Sequence, residues 1–86
     1  MPSLDLDVLW TVAEAAQHAT AGRSKVLPGH RVTEATIRSW AHRGHLPIAK
    51  NSDGEEIRDH QGRPRFWPLD VARAEYATRA RALIQI

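Results

Sequence analysis

The side chains between residues 33 and 43 have the composition of a surface that binds phosphates and base edges. Arginine suits phosphate or guanine, hydroxyl groups suit phosphate or base edges, and histidine suits either. A glutamate can accept from the amino group of cytosine, and an alanine can meet the methyl group of thymine. The candidate contacts are Thr33, Glu34, Ala35, Thr36, Arg38, Ser39, His42 and Arg43. This chemistry predicts contact with double-stranded DNA; the alternative is a set of solvated side chains on an amphipathic helix.

The charge of the chain supports a negatively charged partner through its distribution more than through its sum. The net charge is only +2 at pH 7. Residues 1–21 carry three carboxylates and no Lys or Arg, whereas residues 22–46 carry five Lys or Arg against Glu34 alone, a net of +4. A basic middle segment is typical of a chain that meets an anionic surface.

A second cationic stretch lies at residues 61–65, where Gly62 is followed by Arg63, Pro64 and Arg65. Glycine lets the backbone approach a partner closely, and arginines favour the negative potential of a narrow minor groove. We therefore add Arg63 and Arg65 to the candidate DNA contacts. The alternative is a surface turn that carries two solvated arginines.

Two helices are predicted in the first half of the chain. Thr11 and Glu14 form a capping box that starts a helix over Val12 to Ala21, with Gly22 as its stop. A loop is expected from Arg23 to Arg31, because it contains Pro28-Gly29.

The second helix carries the candidate contacts. Thr33 is its predicted cap, Val32 and Ile37 form a hydrophobic staple, and Gly44 ends it. Ile37, Trp40 and Ala41 fall on one apolar face, which leaves the cationic residues on the opposite face.

The second half predicts a β-hairpin and a third helix. The hairpin pairs Glu56–His60 with Arg63–Trp67, and Asp70 caps a helix that runs from Val71 to about Leu83. The expected fold class is therefore mainly α with a small β-hairpin wing. The aromatic side chains expected to stabilise the core by burial are Trp10, Trp40, Phe66, Trp67 and Tyr76.

Four stretches of the chain resemble the winged helix-turn-helix domains of MerR-type regulators and phage excisionases. They are WTVAEAA (10–16), VTEATIRSWAHRGHLP (32–47), GRPRF (62–66) and LDV (69–71), and the resemblance covers most of residues 9–76. It implies a recognition helix in the major groove, with Arg38 as a DNA contact, and a wing in the minor groove. It also implies either an excisionase, which is a recombination directionality factor acting with a phage or plasmid integrase, or a small transcriptional regulator. The loop Arg23–Arg31 and the region Ala49–His60 are longer than the usual motif.

Several classes of chemistry have no support in the sequence. The chain has no cysteine, which excludes disulfides, thiolate zinc sites and thiol nucleophiles. His42 and His45 have the i, i+3 spacing of metal ligands, but Gly44 separates them and no carboxylate pair accompanies them. No P-loop, G-x-S-x-G or H-E-x-x-H motif is present. We expect no enzyme activity, no metal and no cofactor.

The length of 86 residues predicts one domain, with a tail at 1–9 and a C-terminal extension at 78–86. No apolar run reaches the ~20 residues of a membrane span. Asp5 and Asp7 stand where a signal peptide would be cationic and then apolar, so we expect a cytoplasmic protein of a bacterial cell, encoded by the cell itself, by a phage or by a plasmid.

The expected assembly state is a monomer that binds repeated half-sites on DNA cooperatively, because no heptad tract long enough for a coiled coil follows Asp70. A different class of function remains open. The chain is then a phage or plasmid assembly or packaging adaptor that makes protein contacts through Trp67 and through Leu83, Ile84 and Ile86.

Overall fold

Three helices make up most of the structure. The computed structural model describes residues 8–84, with side chains through Arg81. The helices are α1 (Val12–Ser24), α2 (Glu34–His42) and α3 (Pro68–Ile84). The chain is therefore mainly α, as predicted, and α1 packs against both other helices.

Helix α1 begins as predicted and ends later. The Thr11 hydroxyl accepts from the Glu14 backbone N–H at 3.1 Å, and the Glu14 carboxylate accepts from the Thr11 N–H at 3.0 Å, which confirms the capping box. The predicted stop at Gly22 is wrong, because the helix continues to Ser24. Gly22 instead faces α3, where an added Cβ would stand 3.2 Å from Glu75 Oε1. Its small size serves helix packing.

Helix α2 has the predicted cap and the predicted stop. The Thr33 hydroxyl accepts from the Thr36 backbone N–H at 3.2 Å, and Val32 and Ile37 are both buried beside the cap. At the other end, the Gly44 N–H donates to Ala41 O and the His45 N–H donates to Trp40 O, a Schellman motif. Gly44 has φ +82°, the left-handed conformation that this motif requires.

The predicted wing region consists of two hydrogen-bonded turns in series. Asn51 Oδ1 accepts from the N–H groups of Asp53 and Glu55, and Asp59 Oδ1 accepts in the same way from Gln61 and Arg63. Each turn ends on a glycine with positive φ, at residues 54 and 62. The two polar side chains thus shape this segment together with backbone hydrogen bonds, such as the one from the Asp59 N–H to Arg63 O.

Antiparallel pairing in this region is limited to isolated bridges. They join Lys50 with Glu56, Arg58 with Pro64, and Trp10 with Phe66. Pro64 has no N–H to donate, which limits the pairing of its segment. The described residues show no continuous strand here, so the β-hairpin wing stays a prediction.

Helix α3 begins two residues before the predicted cap, because Pro68 occupies its first position. Proline is favoured there, since its missing N–H would have no partner inside the helix. Asp70 is therefore the third residue of the helix and not its cap, and its charge suits the first turn.

The core lies where α1 meets the other helices and the segment around Phe66. Its largest fully buried side chains are Leu9, Ile37, Leu46, Phe66 and Val71. Trp40 is also buried, whereas Trp10 and Trp67 are partly buried. The predicted burial of Tyr76 is wrong, since 73% of it is exposed. No helix among residues 8–84 is both long and apolar enough to cross a bilayer.

Candidate nucleic-acid interface

Helix α2 separates its apolar and cationic residues onto opposite faces. Ile37 and Trp40 are buried, while Ala35, Arg38 and His42 are exposed on the other side. Successive residues of an α-helix are about 100° apart, which places these three exposed positions within one continuous face. Ser39 is partly exposed at the edge of this face. The structure thus brings the centre of the predicted contact set together.

The two threonines of the predicted contact set, Thr33 and Thr36, form hydrogen bonds within the first turn of α2. Thr33 caps α2, and its hydroxyl lies 3.0 Å from the Thr36 hydroxyl. These bonds stabilise the first turn of the helix. Thr33 is exposed, so its hydroxyl retains room for an outside partner, but its first role is structural.

Arg38 and Glu34 form an exposed ion pair along the contact face. Arg38 Nη1 lies 3.8 Å from Glu34 Oε1, and 62% and 56% of the two side chains are exposed. An exposed i, i+4 pair contributes only about 0.3–0.5 kcal/mol. Arg38 can therefore leave Glu34 for a stronger anion at little cost.

The turn at Arg63 lies against the same face. A cleft of about 510 Å³ is lined by Glu34 and Arg38 of α2, by Asp59, Arg63 and Pro64 of the turn, and by residues 11–13. We call it the Arg63 cleft. Arg31 lines the adjoining groove between α1 and α2, together with Glu34 and Arg38. Arg31 is a cation that the sequence counted in the basic middle but did not select as a contact.

Arg65 occupies a different environment from Arg63. Only 20% of its side chain is exposed, and its Nη2 lies 3.8 Å from Asp59 Oδ2. Its Nε is buried and has no hydrogen-bond partner among the described residues. Arg65 is thus held against the body of the turn and is not an exposed cation at its tip.

Asp59 organises this turn electrostatically. The backbone N–H of Arg63 donates to its carboxylate at 3.0 Å and lowers its pKa below the usual range, and the Gln61 N–H and the charge of Arg65 act in the same direction. Partial burial opposes the shift but does not cancel it. The carboxylate therefore stays ionised and holds the turn that presents Arg63.

Arg23 is the largest departure from the predicted surface. The sequence placed it in an exposed loop, but it lies in the last turn of α1 and is only 8% exposed. Its Nε donates to Glu75 Oε2 at 3.2 Å, its Nη2 donates to Thr78 Oγ1 at 2.7 Å, and the guanidinium lies over the Trp40 ring, 5.6 Å from its centroid. One of the five cations of the basic middle is therefore internal.

Glu75 is the buried partner of two arginines. Burial pushes the pKa of its carboxyl upward, but hydrogen bonds and charges from Arg79 and Arg23 outweigh burial and lower the pKa below its ordinary value. The group is therefore an anion in the folded state, and it neutralises Arg23, which the sequence placed in a loop, together with Arg79.

A second groove lies on the other side of α2. Its lining includes Ser39 of α2, Arg43 and His45 just beyond α2, and Thr78 and Arg81 of α3. Its volume is about 350 Å³. We call it the α2–α3 groove. Arg43 belongs to the predicted contacts, but His45 and Arg81 do not. Sequence spacing gives no sign that Arg81, 38 positions after Arg43, faces the same groove.

Comparisons with known proteins give no match to this chain, whether by family model, by curated sequence or by solved structure. Among the described side chains, no group of three or more His, Asp or Glu is arranged to hold a metal ion.

Proposed function

We propose that the chain is a sequence-specific double-stranded DNA-binding protein whose α2 lies in the major groove. The observation that carries the proposal is the short helix itself: α2 is capped at both ends, its apolar side is in the core, and its cationic side is exposed. A major groove about 12 Å wide admits one such helix. The side that faces out is the side whose residue types match base edges and phosphates.

In this arrangement Arg38 is the base-reading residue, because it is central on the exposed face and its pairing with Glu34 is weak. Guanine offers two acceptors that match the two donors of an arginine. Ala35 and Glu34 lie in the first turn of α2, where a thymine methyl and a cytosine amino group are their partners. Arg43 and His42 contact phosphate near the other end of the helix.

The turn at Arg63 acts as the wing in this proposal. Arg63 is exposed and lines the Arg63 cleft with Arg38, so a duplex held by α2 passes close to it. Arg63 then contacts the neighbouring minor groove. Arg65 supports the turn through Asp59 and does not itself reach DNA.

The biological role that fits is that of an excisionase-like factor acting with a phage or plasmid integrase, or of a small MerR-like transcriptional regulator. A single small module buries only ~600–1,000 Å² on DNA, which is too little to select a genomic site. We therefore propose that monomers bind adjacent half-sites cooperatively and bend the duplex.

The test begins with selection of random duplexes on the purified full chain, followed by affinity measurements on the recovered site. About five phosphate contacts give a slope of log K against log salt of about −4 to −5. Arg38→Ala is expected to weaken the specific complex by about 1–3 kcal/mol and to relax preference at one base pair. Arg73→Ala, an exposed arginine of α3, is the matched control. Affinity that does not change between 50 and 200 mM salt contradicts the proposal.

An adaptor that binds protein is the second candidate, and exposed apolar surface favours it. Leu69 and Tyr76 of α3 are 59% and 73% exposed, and Trp67 beside them is partly buried. The apolar end that this candidate also uses is not described, because the side chains of Leu83 and Ile84 and all of Ile86 lie outside the described residues. Asp5 and Asp7, on which the expected compartment depends, also lie outside them. If the chain is an adaptor, it is expected to bind no DNA duplex.

A further inference from the structure

The charged residues that line the α2–α3 groove are all basic. Arg43, His45 and Arg81 line it, and none of the described residues along it is acidic. The cationic residues on the other side of α2 share their surface with Glu34 and Asp59. The two flanks of one helix therefore differ: one is mixed in charge and one is purely basic.

The floor of this groove is formed by buried and hydrogen-bonded side chains. Trp40 is buried at 5% exposure, and Thr78 accepts a 2.7 Å hydrogen bond from Arg23, whose guanidinium also lies over Trp40. The nearest carboxylate behind the floor, Glu75, is paired with Arg23 and Arg79. The positive charge at the mouth is therefore not cancelled from below.

We infer that the α2–α3 groove binds a backbone phosphate of the DNA strand on the side of α2 opposite Arg63, with Arg81 as its principal cation. The inference rests on the proposed function. A helix in the major groove has one sugar–phosphate backbone on each side. On the side toward α1, Arg31 lines the groove and is a cation available to the phosphates of one strand, and the α2–α3 groove supplies the equivalent site for the other strand.

The lining of the groove suits phosphate in detail. Arg81 in α3 and Arg43 at the C-cap of α2 are both exposed, so they can reach one anion from two directions. The Ser39 and Thr36 hydroxyls along α2 add hydrogen-bond donors of the type found in phosphate contacts. This arrangement makes α3 part of the DNA-binding surface, a role that its Ala- and Arg-rich sequence does not indicate.

The test compares Arg81→Ala with Arg73→Ala on the selected duplex and on a random duplex. Arg73 is exposed on the same helix, about 12 Å earlier along the axis, and does not line the groove. Arg81→Ala is expected to weaken both complexes about three- to tenfold and to reduce the magnitude of the salt slope by about 1, since one phosphate contact is lost. Arg73→Ala keeps the wild-type slope. Unfolding curves of both variants verify that the fold is retained.

Phosphate-ethylation interference then locates the lost contact. Arg81→Ala is expected to remove interference on one strand beside the major groove, and Arg31→Ala on the other strand. Equal slopes for the Arg81 and Arg73 variants, or loss on the strand that Arg31 contacts, overturn the inference. If the wild-type chain binds duplex and depends on Arg38, such a result leaves the proposed function standing. If the wild-type chain binds no duplex, both proposals fail.

Discussion

Two Arg–Glu ion pairs of this protein have the same residue types but different environments and different roles. Arg23 and Glu75 join α1 to α3 with 10% and 5% of their side chains exposed, whereas Arg38 and Glu34 lie along α2 with more than half exposed. The first pair is closed by hydrogen bonds to Thr78 and Arg79, and the second is open to solvent. Residue type therefore does not decide which arginine is available to a partner; burial does.

The difference also separates stability from binding. Breaking a buried pair leaves an uncompensated charge in the core, which costs about 3–5 kcal/mol. Breaking an exposed pair costs about 0–1 kcal/mol, because water replaces the partner. Substitutions in the first pair should act on folding, and those in the second should act on the contact surface.

The largest expected effect is that of Glu75→Ala. It leaves Arg23 buried without its carboxylate, so we expect the free energy of unfolding to fall by about 3–5 kcal/mol. Urea denaturation measures this loss, and Glu34→Ala serves as the control with a loss below about 1 kcal/mol. Equal losses for the two variants contradict the distinction between the pairs.

The same comparison is sharpened by removing the whole buried pair. The double variant Arg23→Met with Glu75→Leu removes both buried charges, and apolar side chains of similar volume fill the site. Arg79 loses its carboxylate partner, but 23% of its side chain is exposed and can be hydrated. We expect its stability to return to within about 2 kcal/mol of the wild type. A double variant that is less stable than Glu75→Ala would show that the Thr78 and Trp40 contacts of Arg23 outweigh its charge.

The acid limb of the stability profile gives the next effect. The pKa values of Glu75 and Asp59 are lowered in the folded state, so their stabilisation is complete above their unfolded values near 4. It is lost as the pH falls through the folded pKa values. Unfolding measured between pH 6 and 2 should show a decline below about pH 4, and Glu75→Gln should reduce its steepness. An unchanged profile in this variant would exclude Glu75 as the source.

The smallest effect is expected at the exposed pair. Glu34→Gln removes a negative charge next to the proposed DNA contact and releases Arg38, so affinity for random duplex should rise about twofold. Binding titrations at low and high salt measure the gain, which should shrink as salt increases. Unchanged affinity for random duplex at low salt contradicts this expectation. At the selected site, a loss of affinity confined to one base pair is the separate signature of the proposed contact between Glu34 and cytosine.

Local signals in the sequence predicted the parts of the fold that depend on neighbours along the chain. The caps at Thr11 and Thr33 and the stop at Gly44 each involve groups within five residues, so spacing is sufficient to find them. The position of Arg23 is different, since its partner Glu75 is 52 residues away. No periodicity in the sequence carries that information.

The candidate site divides in the same way. The exposed face of α2 was predictable from the helical period, because Ile37 and Trp40 are buried in the core and the residues on the opposite side are exposed. The covered state of Arg65 and the approach of Arg81 to α2 depend on how separate segments pack. These features follow from the tertiary structure, and they determine which cations are exposed to a partner.

The caps of α2 limit the number of base pairs that this helix can contact in the proposed complex with DNA. With both ends closed, the helix has nine residues and a length of about 13.5 Å, which spans about four base steps of 3.4 Å. A sequence of four base pairs recurs by chance about once in 256 base pairs, whereas a unique site among a million competing sites requires about ten base pairs. The Schellman motif at Gly44 ends the helix there, so under the proposed function the further base pairs are read by the turn at Arg63 and by additional copies of the domain placed side by side.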